Sequence, residues 1–236
     1  MEFRVIIPVA EKAHLIPQVA LASEGGKTWL ARVCHEATQS GADNVVVATD
    51  DAAVAELAET LGVSVCHTSK DHISGTEHIA EAVSILELAE DDIVVAFPGD
   101  DPLVPAHVLR ELAEDLERHD NVKMVSACQP IHDRPELMSP QVVKVALNRR
   151  HYALYFSRAP IPFESTNVAT HDDAHELNGI HFRHLGVYAY RAGFLADFVA
   201  WDPSPDEELE LLEPLRVLWH GGRIHMRVTE EAVPHP

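Results

Sequence analysis

From residue 3 to residue 119, short apolar runs alternate with segments of helical periodicity. FRVIIPVA (3–10), NVVVATD (44–50), VSVCH (63–67) and DIVVAFP (92–98) are runs rich in Val and Ile. KTWLARVCHEATQSG (27–41), DAAVAELAETLG (51–62), GTEHIAEAVSILELA (75–89) and PAHVLRELAEDLERH (105–119) carry apolar residues at helical spacing, and the first two are closed by Gly. A strand that is apolar throughout, rather than at every second residue, is one buried on both faces. The order therefore predicts an α/β chain: a mostly parallel sheet, doubly wound, with helices on both faces and right-handed crossovers. In such sheets ligands bind outside the carboxyl ends of the strands. Asp50, His67 and the turn Pro98-Gly99-Asp100-Asp101-Pro102 fall at those ends.

The rest of the chain reads differently. VKMVSACQP, VVKVALN, YALYFSRAPIPF, HLGVYAYR and IHMRV are strand-like with fewer helices between them, and EELELLEPLRVLWHGG reads as one helix kinked at Pro214. This half is expected to extend the sheet and add an antiparallel arm. No long linker or repeat divides the chain, so residues 1–236 read as a single domain with a doubly wound half, 1–125, and a second half, 126–236.

Composition narrows the partners. Lys plus Arg number 18 against 38 Asp plus Glu, a formal net charge of −20, which argues against nucleic acid as a partner. A small anion remains possible where the few basic residues converge. No apolar run has the length of a membrane span and no signal-peptide layout opens the chain. Cys34, Cys66 and Cys128 are widely spaced and read as reduced, buried thiols of a cytoplasmic protein.

Four stretches offer chemistry, each beside a plainer reading. Asp100, on a turn stiffened by Gly99 and Pro102, suits a hard cation such as Mg²⁺, and equally suits an ordinary turn. Ser74, Gly75 and Thr76 precede a helix start where backbone N–H groups meet an anion, or where Ser74 is simply the cap. Arg158, between an apolar strand and Pro160, offers a planar fork for a carboxylate or phosphate, or pairs with an acid. His171, His175, His181 and His184 raise a zinc site, but Asn178-Gly179 ends any helix that would align them. His184 and Tyr188, four apart on a strand, point more to packing.

Taken together, VATDD, DHISGTEHIAEAV, PGDDP, VVKVALN, YALYFSRAPIP, RHLGVYAYRAGF and LEPLRVLWHGGRIH, in this order, resemble the 3-deoxy-manno-octulosonate cytidylyltransferases, the CMP-Kdo synthetase family. The resemblance runs from VIIP to about RVTEE. It implies a Rossmann-like nucleotidyltransferase fold with an antiparallel dimerisation arm, a homodimer, and transfer of CMP from CTP to a Kdo-like sugar acid with Mg²⁺, in lipopolysaccharide biosynthesis. It also implies roles. Asp100 is the catalytic metal ligand. Pro8, Ser74, Gly75, His78 and Gly99 lie at the nucleotide. Arg158, His184, Tyr188 and Glu213 line the sugar pocket, with Arg158 facing the sugar carboxylate.

The same resemblance exposes departures. The family's first loop runs close to A-R-x-x-S-x-R-L-P-G-K-P-L, and this chain has VAEKAHLIPQVAL at 9–21. Ala10, Ala13, Leu15, Gln18 and Val19 stand at the Arg, Ser, Arg, Gly and Lys positions, with Lys12 and His14 out of register. Pro98 replaces a Gln, His78 an Arg and Pro214 a Gln, and no counterpart of the segment carrying a second metal-binding Asp follows RVTEE. Losing one charge-stabilising donor costs on the order of 10²–10³ in rate, so these changes predict a weakened reaction. Three readings follow: a cytidylyltransferase with an unusual triphosphate site, a non-catalytic homologue acting as a binding or regulatory subunit with a protein partner, or a changed reaction using His78 and His184 as acids or bases.

Overall fold

A computed structural model of the chain describes residues 1–10, 17–99, 103–165, 177, 179–229 and 233. In chain order, β1 (Phe3–Val9) leads to a short α1 (Pro17–Leu21) and a small hairpin, β2 (Ser23–Glu24) and β3 (Lys27–Thr28). Then α2 (Trp29–Gln39), β4 (Asn44–Thr49), α3 (Ala52–Thr60), β5 (Ser64–His67), α4 (Gly75–Ile85), β6 (Ile93–Ala96) and α5 (Ala106–Arg118) alternate as the apolar runs predict. The later elements are β7 (Met124–Pro130), α6 (Arg134–Met138), β8 (Lys144–Leu147), β9 (Ala153–Ser157), β10 (Phe182–Arg191), α7 (Ala192–Ala200), α8 (Pro205–Glu210), α9 (Pro214–Trp219) and β11 (Ile224–Val228).

Two compact units share these elements. The first holds Met1–Val125, Gly186–Trp201 and Val233–Pro236, and the second holds Ser126–Leu185 and Asp202–Ala232. The chain passes between them within β10, at Gly186, whose φ of 71° is left-handed and open to glycine at little cost.

In the first unit β1 lies between β4 and β6 and is parallel to both, and β5 continues beyond β4, also parallel. The last residues of β10 add an antiparallel neighbour on β6, Tyr188 opposite Ala96. Phe3 and Val5 through Val9 are all buried, as are all four residues of β6, which is why these strands read as unbroken apolar runs. Helices α2 and α4 both pack on β1; α2 also meets α3 and α5, and α4 meets α7. The helix ends are written in the sequence. Thr28 accepts from the Ala31 N–H to start α2, Asp51 from Ala53 and Val54 to start α3, and Ser74 from Glu77 to start α4, caps worth about 1 kcal/mol each.

In the second unit β8 lies between β9 and the first residues of β10, antiparallel to both. The Thr229 amide after β11 donates to the Cys128 carbonyl of β7 at 2.9 Å. One expectation fails here. The segment from Pro205 to Trp219 is two helices, not one kinked helix: the chain breaks at Leu211, with φ 57° and ψ 49°, and restarts at Pro214. Proline is tolerated at a helix start because its missing N–H needs no partner there. The restart is braced by Arg216, whose guanidinium holds the buried Glu207 carboxylate at 2.9 and 2.7 Å.

Candidate active site

At the carboxyl end of β1 the β6 chain stays fastened after its strand ends. The Phe97 N–H donates to Ile6 O at 3.1 Å and the Gly99 N–H to Pro8 O at 3.4 Å. Gly99 is required by closeness: a Cβ there would lie 2.3 Å from Val9 Cγ2. Pro8 is buried, and Gly99 draws the turn onto it. Asp100, the expected metal ligand, lies outside the described residues, as do Asp101, Lys12, His14, His171 and His175.

Beside these strand ends stands the start of α4. Ser74 Oγ accepts from the Glu77 N–H at 3.2 Å, and the Glu77 carboxylate reaches back to the Ile73 N–H at 2.7 Å. Gly75 is the first residue of the helix, as the run 75–89 predicts. His78, one turn in, is fully buried. Its Nδ1 lies 2.7 Å from Thr68 Oγ1, and its Nε2 is buried with no hydrogen-bond partner among the described residues. Thr68 itself is tied to β4, its N–H donating to Thr49 O at 3.0 Å.

The His78 ring meets His72 edge-on at 5.0 Å, and His72 Nε2 lies 2.8 Å from Glu81 Oε2. Burial and the neighbouring His72 push the His78 pKa below its ordinary value, against the pull of Asp50, Glu81 and Glu77. Burial alone would raise the Glu81 carboxyl, but the Ser69 amide at 2.7 Å and His72 outweigh it and leave Glu81 below the usual range. The position where the family resemblance puts an arginine is thus a neutral imidazole at pH 7, able to offer a hydrogen bond but no charge.

In the second unit Arg158 follows β9 and is held at three points. Its N–H donates to Glu210 Oε2 at 2.9 Å, its Nε–H to Glu210 O at 3.0 Å and Nη1 to Pro140 O at 3.2 Å. The Ser157 hydroxyl takes the other Glu210 oxygen at 2.5 Å. Lys144 is fully buried beneath this corner and donates to three carbonyls, of Ser139, Val142 and Arg158, at 2.8, 2.7 and 2.5 Å. Burial first and the Arg158 charge second lower its pKa, with Glu210 opposing. Among the described residues the guanidinium therefore meets backbone carbonyls, of Glu210 and Pro140, rather than a side-chain acid.

His184 is buried, its Nε2 2.8 Å from Ser126 Oγ and its ring edge-on to Phe156 at 5.0 Å. Burial pushes its pKa down to about 3, which disfavours the charged ring near neutral pH. Its packing was the plainer reading. His181 bridges Ile161 O at 3.1 Å and Glu164 at 3.2 Å, and among the described residues no third ligand-type side chain joins His181 or His184. Glu213 is half-buried at the start of α9. In the first unit Tyr188 is half-buried and stacks on Tyr190 at 5.8 Å.

The sequence did not single out Glu210, Thr68, His72, Glu81 or Ser126. For His72 and Glu81 a signal existed: both sit in DHISGTEHIAE, where Glu77 and Glu81 follow His72 at spacings of five and nine.

Comparison with known proteins follows the same lines. A family model described as Cytidylyltransferase matches residues 5–225. The 3-deoxy-manno-octulosonate cytidylyltransferase of Coxiella burnetii (strain RSA 493 / Nine Mile phase I) is 50% identical over 234 residues, covering 99% of this chain and 94% of the relative. That of Pasteurella multocida (strain Pm70) is 44% identical over 238 residues, with 98% and 92% covered. Among solved structures, a CMP:2-keto-3-deoxy-manno-octonic acid synthetase complexed with CTP superposes with a TM-score of 0.84 at 28% identity, covering 100% of this chain and 93% of that one. With the family model spanning residues 5–225 and 50% identity over 99% of its length, the chain belongs to the 3-deoxy-manno-octulosonate cytidylyltransferase (CMP-Kdo synthetase) family.

Proposed function

We propose that the chain transfers CMP from CTP to a Kdo-like sugar acid and releases pyrophosphate. The observation that carries this is the match along almost the whole chain: 50% identity to a relative named for the reaction, and a TM-score of 0.84 to a synthetase complexed with CTP. On this reading Pro8, Ser74, Gly75, His78 and Gly99 meet the nucleotide. Arg158, His184, Tyr188 and Glu213 meet the sugar acid, with the Arg158 fork on its carboxylate. Glu210 and Lys144 hold the Arg158 main chain, so that the fork's remaining N–H groups are fixed before the ligand arrives. The sugar's anomeric hydroxyl attacks the α-phosphorus; one P–O bond forms as the bond to pyrophosphate breaks, and the hydroxyl proton leaves.

The donor chemistry fits Mg²⁺. Gly99 is fastened to the end of β1, and the next residue in the sequence, Asp100, supplies the hard carboxylate that this ion takes along with phosphate oxygens and water. When bound, the ion would draw charge from the phosphate oxygens. A homodimer and a cytoplasmic location belong to the same proposal.

A second reading, a non-catalytic binding or regulatory subunit, is favoured by one observation: His78 is buried and neutral where the family resemblance puts an arginine. One experiment separates the two. Pyrophosphate release is followed with CTP, Kdo and MgCl₂, beside Asp100→Ala. Release that disappears in the variant supports the transferase. No release at high protein concentration, with CTP still raising the melting temperature, supports the binding subunit.

A further inference from the structure

Helix α7 reads Ala-Gly-Phe-Leu-Ala-Asp-Phe-Val-Ala, with Asp197 its one charge. A helix apolar on every side is normally buried on every side. Phe194, Leu195 and Phe198 are buried, yet Ala196, Val199 and Ala200 face outward, Val199 with 40% of its surface exposed. Between this face and α4 runs a groove of about 860 Å³, wholly within the first unit. Val83, Leu88, Leu195 and Val199 make its apolar lining, and Gly193 packs closely on Glu90, its N–H donating to Glu90 O at 3.0 Å.

Its rim is acidic. Glu77, Glu81, Glu87 and Glu90 line it, and among the described residues no lysine or arginine does. Glu77 and Glu81 already accept from the Ile73 and Ser69 amides. Glu87 and Glu90 are exposed and offer their carboxylates to a newcomer. A second copy of this chain is a poor occupant, since it would set its own glutamate rim against this one.

We infer that the α4–α7 groove docks a basic amphipathic helix of a partner protein: its apolar stripe lies along Val83, Leu88 and Val199, and its Lys or Arg residues meet Glu87 and Glu90. Laying an apolar helix face in such a groove, with charges fixing the register, is a common mode of recognition. The groove shares His72, Glu77 and Glu81 with the neighbourhood of His78, but Val83, Glu87, Glu90 and Val199 are not among the residues proposed to meet the nucleotide or the sugar acid, and the test does not depend on turnover.

The probe is a fluorescent Leu/Lys peptide of about four helical turns, with Leu at i, i+3, i+4 and i+7, and a Leu/Glu peptide of the same pattern as control. Binding is read by anisotropy at physiological salt. The expected result is binding of the Leu/Lys peptide alone, weakened about tenfold or more by Glu87→Lys with Glu90→Lys. The same charge change on α3, Glu56→Lys with Glu59→Lys, should leave it within about twofold. These surface changes leave the groove floor intact, and circular dichroism confirms the fold of each variant. Three results overturn the inference: equal weakening by both pairs, equal binding of the Leu/Glu peptide, or a dimer in light scattering that Val199→Asp splits. The first means only general attraction to an acidic protein, and the last means that a second copy covers the groove.

Discussion

His78 Nδ1 and Thr68 Oγ1 lie 2.7 Å apart, both residues buried, and this bond joins the start of α4 to the end of β5. Valine has nearly the shape of threonine without the hydroxyl. Thr68→Val therefore leaves the space filled and strands a second ring nitrogen of His78 without a partner. An unsatisfied buried polar group costs about 1–3 kcal/mol, and that loss is expected in urea unfolding. A change below about 0.5 kcal/mol would show that the bond contributes nothing the valine does not replace.

His184 sets a pH dependence. Its pKa is about 3 in the fold against 6.5 for the free side chain. Below pH 6.5 the unfolded chain binds a proton that the folded one refuses until pH 3. Stability is thus full above pH 6.5 and is lost as pH falls, by up to roughly 1.4 kcal/mol per unit from this residue. The lowered pKa of His78 adds to the loss with the same sign. His184→Gln, which keeps a hydrogen-bonding group beside Ser126, should flatten the slope between pH 6 and about pH 4. An unchanged slope would assign the loss to other groups.

The parallel strands of the first unit were legible because burial on both faces leaves an unbroken apolar run, and the stop of α2 and the cap of α4 because Gly41 and Ser74 act through local chemistry. The break at Leu211 was not, since a left-handed leucine has no sequence mark and Pro214 is compatible with a kink or a start. The depth of His78 was hidden too: histidine is as often outside as inside, and only the fold brings Thr68 to it. Glu210 stands in the acidic run PDEELELLE, and nothing in that run distinguishes the carboxylate that clamps Arg158 from those of Asp206, Glu207, Glu208 and Glu213.

Glu210 is expected to matter through Arg158. Its carboxylate takes the Ser157 hydroxyl and the Arg158 amide together. Glu210→Gln keeps one acceptor oxygen and puts an NH₂ against one of the two donors. If Arg158 holds the sugar carboxylate, KM for the sugar acid rises about tenfold while KM for CTP is little changed, because a misplaced fork loses one charge-assisted bond. Parallel changes in both constants would point to a general loosening of the second unit instead.

Gly99 and Val9 give the sharpest test of how the turn before Asp100 is held. A Cβ on residue 99 would lie 2.3 Å from Val9 Cγ2 and 3.4 Å from Pro8 O, so Gly99→Ala must push the turn away from β1 or displace the valine. Overpacking of this kind costs about 1–3 kcal/mol, and the same displacement should lower any pyrophosphate release that depends on Asp100. Val9→Ala removes the methyl group in the way. In the double variant the alanine at 99 fits the space that the valine left, so its cost should fall by at least about half, a coupling of the size found between residues in contact. If Gly99→Ala is as harmful with Val9→Ala as without it, the carbonyl of Pro8 rather than the Val9 side chain sets the limit, and the turn is fixed by the backbone alone.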